Sequence, residues 1–168
     1  MESVTFRVHG LPAPKGSVTH MRNGAYLPAG TAASRMKYHL WQENISSAAR
    51  VQMNGTAPWP GAVRLMAEFR LPAPQATPAR KRGWLPHTKR PDVDKLARAL
   101  LDPLTGIIWV DDSQVCFASI NKVYAWEGRP GAMVIIDFLS DDWCQKYWAT
   151  HTAIQNAIES LPKENGND

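Results

Sequence analysis

Alternating apolar and polar residues at positions 4–9 predict a β-strand near the start of the chain, because successive strand side chains point to opposite faces of a sheet. A second strand is predicted over 62–71. Two more are predicted over 114–126 and 132–139, and the glycine- and proline-containing stretch 127–131 between them favours a hairpin with a bulged or longer loop. The pattern therefore predicts four strands, of which the last two pair with each other.

A long helix is predicted over 31–53, a stretch that contains neither proline nor glycine. Thr31 is placed to cap its first turn, because a threonine hydroxyl accepts a hydrogen bond from the N–H groups that a helix start leaves unpaired. The apolar residues at helical spacing form the expected inward face. They are Met36, Leu40, Trp41, Ile45, Ala48 and Ala49. A terminal helix is predicted over 143–161, followed by a polar tail over 162–168 that is expected to be disordered.

The strongest helical pattern lies over 92–102. Apolar residues fall there at the i, i+3, i+4, i+7, i+8 spacing of one helix face. They are Val93, Leu96, Ala97, Leu100 and Leu101. Asp94, Arg98 and Asp102 follow at i, i+4, i+8 on the opposite side, so a carboxylate and a guanidinium are expected one turn apart. Pro103 is expected to end the helix.

Length and composition are those of an ordinary globular protein. With 168 residues, of which 44% are hydrophobic and 20% charged, the chain is expected to form a single domain over 1–161. Its two cysteines, Cys116 and Cys144, form no metal-binding spacing, which favours a reducing, cytoplasmic setting. No apolar run approaches the ~20 residues of a membrane helix, so no membrane association is expected.

Charge is divided unevenly along the chain. Residues 1–91 hold thirteen lysines and arginines against three acidic residues, whereas residues 92–168 hold six against twelve. A basic half of this kind suits a polyanionic partner, because each phosphate that lysine or arginine neutralises releases counterions. The alternative is a basic surface that only keeps the protein soluble.

Five of the nine aspartates crowd into positions 92–112. Asp92 and Asp94 stand at the start of the predicted helix, and Asp111 and Asp112 stand where a loop enters a strand. A short helix followed by a tight return is expected to bring the two pairs together, and converging carboxylates stay ionised only beside a cation. Oxygen ligands without cysteine or histidine favour Mg²⁺ or Mn²⁺. The alternative assigns Asp92 to a helix cap and the other pair to a turn.

The same acidic stretch resembles the signature of the RusA-type Holliday junction resolvase family. In that family the pattern P-D-x-D-N-L-x-K-x-x-x-D is followed by a short loop, then W-x-D-D-x-Q-V and a lysine on a strand. This chain has PDVDKLARALLD at 91–102, WVDDSQV at 109–115 and Lys122. A weaker resemblance, to the family's N-terminal loop and first helix, covers parts of 12–31.

The resemblance implies a small α+β fold, in which a mixed sheet packs with helices, and a homodimer that cuts branched DNA with Mg²⁺, for which Mn²⁺ can substitute. Asp92, Asp94 and Asp112 match the catalytic, metal-binding carboxylates, and Asp111 matches a neighbouring acid that is also assigned to the metal. Arg98 stands where the family has its catalytic lysine. Such enzymes resolve Holliday junctions by paired symmetric nicks in DNA recombination and repair.

DNA contacts are expected from basic residues spread over the chain. They are Lys15, Arg80, Lys81, Arg82, Lys89, Arg90, Lys95 and Lys122. Five of them lie in the loop 80–90 together with Trp84, which is a candidate for stacking on an unpaired base. The alternative is a solvated loop whose tryptophan packs into a groove of the protein.

Two departures from the family pattern support a second hypothesis. Lys95 replaces the usual asparagine, and Arg98 replaces the lysine. The chain would then be a junction-binding protein of the same fold with weakened catalysis. A third hypothesis is a nucleotide-sugar transferase that uses the D-x-D of 92–94, although the chain has no glycine-rich phosphate loop. The leading hypothesis remains the nuclease, for which no small-molecule substrate is expected.

Overall fold

The computed structural model describes residues 2–16, 18–20, 26–28, 31–82 and 84–160. The tail over 162–168 and part of the N-terminal stretch that resembles the family lie outside these residues. The strands are β1 (Ser3–His9), β2 (Val18–His20), β3 (Tyr26–Pro28), β4 (Val63–Leu71), β5 (Val115–Tyr124) and β6 (Gly131–Phe138). The helices are α1 (Ala32–Met53), α2 (Val93–Leu104) and α3 (Asp141–Glu159). The expected α+β class with a small mixed sheet is confirmed.

The four longer strands form one sheet in the order β1-β6-β4-β5. β4 and β5 run parallel, whereas the other neighbouring strands are antiparallel. The hairpin predicted between β5 and β6 is therefore wrong, because β4 lies between them. After β5 the chain turns at Trp126–Gly128, where Glu127 has a φ of 49°, and then crosses to the other side of β4. Periodicity identifies a strand, but it carries no information about the strand's partner.

One face of the sheet forms the hydrophobic core with α1 and α2. Every second residue of β4 is buried, as expected of a strand with one face in the core. α1 packs against β1 and α2, and α2 packs against β5. Trp41 of α1, Leu100 of α2 and Phe69 of β4 are among the largest fully buried side chains.

The start of α1 is as predicted, but its inward face is shorter than the pattern indicates. The Thr31 hydroxyl accepts a hydrogen bond from the Ser34 N–H at 3.2 Å. Trp41 is buried, whereas Met36 and Leu40 are 70% and 55% exposed, so their predicted burial is wrong. The Asn44 side chain donates to the carbonyl at the end of β1, that of His9. The buried face of α1 therefore begins at Trp41, which packs against Phe69 of β4 with ring centroids 6.5 Å apart.

α2 extends two residues beyond its predicted end. Pro103 lies inside its last turn rather than ending it; the missing proline N–H removes one intrahelical hydrogen bond but does not break the helix. The Thr105 N–H still bonds the Leu101 carbonyl at 3.3 Å. Leu96 and Leu100 are buried as predicted, but Val93 is 41% exposed.

The chain divides into two compact units, 1–138 and 139–168. In the second unit, α3 carries a stacked aromatic pair, Trp143 and Tyr147, with ring centroids 5.2 Å apart. The single-domain organisation over 1–161 stays a prediction. Among the described helices, none has the length and apolarity needed to cross a membrane.

Candidate functional site

Asp92 and Asp94 lie at the start of α2, and their carboxylates make few contacts with the rest of the described chain. Asp92 is the N-cap residue, but its side chain makes no capping hydrogen bond. Its carboxylate lies 3.6 Å from the Lys95 ammonium instead. Asp94 is exposed and makes no ion pair within the described chain. The two carboxylates therefore do not serve the capping role that an aspartate at this position ordinarily serves.

The loop that leads into Asp92 is held by Lys122 of β5. The Lys122 ammonium donates to the Lys89 carbonyl at 2.7 Å and to the Pro91 carbonyl at 2.6 Å. The His87 N–H donates to the Lys122 carbonyl at 2.9 Å. A lysine ammonium has three donors, and two of those of Lys122 bond these backbone carbonyls. Lys122, expected from the sequence to contact DNA, thus fixes the backbone one residue before Asp92.

Gln114 fixes the turn at the other end of α2. Its side-chain oxygen accepts hydrogen bonds from the Val110 and Asp111 N–H groups, both at 2.8 Å. Its side-chain nitrogen donates to the carbonyls of Trp59 at 3.0 Å and Gly61 at 2.6 Å. Both ends of the amide are therefore used, and the turn is tied to the segment that enters β4.

Asp111 and Asp112 differ in what their carboxylates do. The Asp111 carboxylate accepts a hydrogen bond from the Ser113 N–H at 2.9 Å. The hydrogen bonds from Ser113 lower the pKa of Asp111, since they favour its charged form. Asp112 is exposed and makes no ion pair within the part of the chain that the structure describes. Asp111 therefore behaves as a turn residue, and Asp112 is available to a ligand.

The two pairs of aspartates lie at opposite ends of α2 within one chain. Asp92 is anchored next to Lys122, near the end of β5, whereas Asp112 stands just before Val115, where β5 begins. Seven residue steps of strand at ~3.3 Å separate these two points, or ~23 Å. The twelve residues of α2 give a similar span, ~18 Å.

The predicted meeting of the two pairs therefore does not occur within one chain. The return after α2 stays at its C-terminal end, where the Gly106 N–H bonds the Trp109 carbonyl at 2.7 Å and Trp109 itself is fully buried. Across the described residues, no group of three or more acidic, histidine or cysteine side chains could hold a metal ion. The sequence indicated the acidic residues but not the distance between them.

The donor chemistry at both ends nevertheless fits Mg²⁺. Asp92, Asp94 and Asp112 supply hard carboxylate oxygens, which this cation prefers; among the described residues Asp94 and Asp112 make no ion pair, and Asp92 makes the 3.6 Å pair with Lys95. Each end of α2 holds only one of the two aspartate pairs, whereas the metal site predicted from the sequence combines both. A complete set of three needs both ends.

Arg98 is exposed one helical turn after Asp94. It makes no ion pair with Asp94 or Asp102 among the described residues. Asp102, which lies a further turn along α2, binds other partners. The Arg98 guanidinium is therefore free to meet an external anion from the same side of the helix as Asp94.

Asp102 belongs to a network that joins α2 to α1 and to the N-terminal loop. Its carboxylate accepts hydrogen bonds from the Lys15 ammonium at 2.6 Å and from the Tyr38 hydroxyl at 3.2 Å. Gln42 donates to the same hydroxyl at 2.9 Å. Burial, followed by the charge and hydrogen bond of Asp102, raises the pKa of Tyr38 to about 12. Lys15, expected to contact DNA, thus also forms a structural ion pair with Asp102, and its side chain is 44% exposed.

The basic loop presents most of its cations to solvent. Residues 79–81 form a short 3₁₀ turn, and Arg80 and Lys81 are exposed. Arg82 donates from its Nε to the Thr77 carbonyl at 3.2 Å. Trp84 is 62% exposed and is held by a hydrogen bond from its Nε1 to the Arg80 carbonyl at 3.0 Å. Its ring is therefore open to a stacking partner and is not packed into a groove.

Sequence reasoning missed the positioning residues. Gln114 stands inside the W-x-D-D-x-Q-V pattern, so its spacing was a signal, although its four hydrogen bonds were not foreseen. Tyr38 carried no such signal, because it contacts Asp102 across 64 positions of sequence.

The aspartates and Lys122 lie within a region that matches a known protein family. The family described as "Endodeoxyribonuclease RusA" matches residues 10–137, which include both aspartate pairs and Lys122. The chain is also 28% identical over 145 residues to the protein named "Uncharacterized protein YqaN" of Bacillus subtilis (strain 168), in a match that covers 80% of this chain and 96% of that protein. With three quarters of its length matched, this chain belongs to the RusA endodeoxyribonuclease family.

Proposed function

We propose that this protein is a metal-dependent endodeoxyribonuclease that resolves Holliday junctions or other branched DNA by paired symmetric nicks. Family membership implies Holliday junction resolvase nuclease activity. The observation that carries the proposal for this chain is the pair of uncommitted, exposed carboxylates of Asp94 and Asp112 at the two ends of α2. The first half of the chain is strongly basic and suits a phosphate, but carboxylates would repel that phosphate. A cation held between the carboxylates and the phosphate removes the repulsion.

Asp92, Asp94 and Asp112 are the residues that would hold Mg²⁺, with Mn²⁺ as a substitute. Bound metal would supply positive charge at the phosphate and would ease deprotonation of the water that attacks the phosphorus. Asp111 would contribute through the shape of its turn, because its carboxylate is already engaged by Ser113. Arg98 would stabilise the charge that develops on the phosphate, a role for which a guanidinium is suited by its fixed geometry and permanent charge.

The distance between the two aspartate pairs supports a homodimer as the active form. A two-fold axis that brings the start of α2 from one protomer near the end of α2 from its partner generates two equivalent sites at once. Each site would then combine Asp92 and Asp94 of one protomer with Asp112 of the other. Two such sites would also account for paired nicks on opposite strands.

A synthetic four-way junction tests the proposed activity. With Mg²⁺ the protein should nick two opposite strands, and without divalent metal it should bind the junction but leave it intact. Asp92→Asn, Asp94→Asn and Asp112→Asn should each abolish nicking while binding is kept or becomes tighter, because negative charge beside the phosphate is removed.

Asp141→Asn and Asp142→Asn are matched controls, since these residues lie in the first turn of α3 and should leave nicking unchanged. Binding of the junction without nicking by the wild-type protein would favour the weakened junction-binding hypothesis. Activity above a few per cent in all three aspartate variants of the site would overturn the metal-site assignment.

A further inference from the structure

A cleft lies beside Asp92, outside the carboxylate set itself. Its volume is about 580 Å³, within the roughly 300–1,000 Å³ range of small-ligand sites. The N-terminal loop forms one side and the end of β4 forms another, and the stretch from Arg90 to Asp92 lies at the rim.

Part of the cleft lining is apolar. Leu11 and Pro12 line it from the N-terminal loop, and Leu71 and Pro72 line it from the end of β4. Leu11 and Pro72 are the exposed members of this apolar part, and proline, which has no N–H group, adds hydrocarbon surface without a donor. Such surface suits the face of an aromatic ring and does not suit a bare phosphate.

His87 adds a buried polar group to the same cleft. It is only 7% exposed, and its Nδ1 has no hydrogen-bond partner among the described residues. Its ring packs against Tyr124 with centroids 4.8 Å apart. Burial and the nearby charge of Lys122 lower the pKa of His87, so the ring is neutral at pH 7 and has one donor and one acceptor.

The rim of the cleft carries two cations next to Asp92. Arg90 and Lys95 both line it, and the Lys95 ammonium is 3.6 Å from the Asp92 carboxylate. An apolar part and a cationic part side by side match the two parts of a nucleotide, a flat base and an anionic phosphate.

We propose that this cleft binds one unpaired nucleotide next to the scissile phosphate, with its base against the Leu11 and Pro72 walls and its phosphate at Arg90 and Lys95. The inference rests on the proposed function, because it places the nucleotide beside a carboxylate of that site. A base within a duplex is stacked and paired, whereas a base at a branch point is displaced at lower cost. The cleft would thus help select branched DNA and would set the preference for the base beside the cut.

Abasic scanning tests the cleft without requiring cleavage. Each nucleotide within three positions of the cut is replaced in turn by an abasic residue, and the Kd for the junction is measured in Ca²⁺ with the full-length protein. We expect about a tenfold loss of affinity at one position and less than twofold at the others, since stacking of one base contributes on that order. In Leu11→Trp, whose larger side chain fills the mouth of the cleft, the intact junction should bind about tenfold more weakly, and the abasic change should then have no further effect.

Val51→Trp is the matched control, because Val51 is 77% exposed and lines a separate cleft between β1 and α1. It should keep the wild-type abasic profile. If Leu11→Trp lowers the melting temperature by more than about 5 °C, Leu11→Glu replaces it, since a carboxylate at the rim should also remove the abasic effect.

The outcomes separate the two proposals. Junction binding with equal affinity for every abasic substrate, or an abasic effect that survives in both Leu11 variants, would overturn the cleft assignment and leave the nuclease proposal intact. Absence of junction binding altogether would overturn the proposed function.

Discussion

Removal of the Lys122 ammonium should displace Asp92 at the start of α2 without removing a DNA contact. Lys122→Met keeps the length of the side chain but leaves the Lys89 and Pro91 carbonyls without their donor. Hydrogen bonds from a charged donor contribute about 1.5–3 kcal/mol each when buried. One of these two is exposed and the other partly buried, so each is weakened by solvent, and we expect a combined loss of about 2 kcal/mol in the free energy of unfolding, below the sum of two buried bonds.

Two measurements follow from this magnitude. For a chain of this length, about 2 kcal/mol corresponds to a fall of roughly 4–8 °C in Tm. Displacement of Asp92 by about 1 Å should slow single-turnover nicking by roughly 100-fold, while the Kd for the junction stays within about threefold. Lys146→Met is the control, since the Lys146 ammonium pairs with Asp142 one helical turn away and both side chains are exposed, and such pairs contribute about 0.5 kcal/mol or less.

The opposite pattern would refute the positioning role. If Lys122 binds DNA phosphate, Lys122→Met should weaken junction binding and reduce the log–log salt slope by about 0.9. A Tm within 1 °C of the wild type, together with that reduced slope, would show that the ammonium leaves the two carbonyls to contact DNA.

Three further predictions address other charged groups. Arg98→Ala should slow single-turnover nicking by about 100-fold with little change in junction affinity, as expected of an interaction made mainly in the transition state. Arg98→Lys should keep activity. Equal nicking rates in the wild-type protein and both variants would exclude the catalytic role. Replacement of the three cations at 80–82 by glutamine should weaken binding to every DNA shape and lower the salt slope by up to about 2.7, and an unchanged slope would mean that the loop does not contact DNA. Because the pKa of Tyr38 is raised to about 12, the folded protein binds more protons than the unfolded chain between about pH 10 and 12, so stability is lost as pH rises through that window. Asp102→Asn should lower the pKa of Tyr38 in a tyrosinate absorbance titration, and an unchanged titration would show that Asp102 does not influence it.

Local features of the fold were predictable because they depend on neighbours in sequence. The alternation at 4–9 became β1, and Thr31 caps α1 as its hydroxyl and position indicate. Leu96 and Leu100 face the core because their four-residue spacing places them on one side of α2.

Non-local features were not predictable, since they depend on which segments meet. β5 and β6 are consecutive in sequence, yet β4 lies between them. Met36 has the same spacing relative to Leu40 as the buried residues of α1 have to one another, but both side chains are exposed. In the same way, the sequence supplied the aspartates of the site but not their separation, which is fixed by the bonds of Lys122 at one end and Gln114 at the other.

The proposed carboxylate site shared between two protomers is tested most directly by mixing two variants that the proposal expects to be inactive. Asp92→Asn and Asp112→Asn are each inactive as homodimers in this account, and random exchange of protomers should make about half of the dimers heterodimers. Each heterodimer should have one site with both substitutions and one site with neither. With Mg²⁺ and a four-way junction, the mixture should therefore regain nicking, at about a quarter of the wild-type number of sites, with single nicks in place of paired ones. Continued inactivity of a mixture whose protomer exchange has been confirmed by mass spectrometry, beside an active wild-type protein, would contradict the shared site.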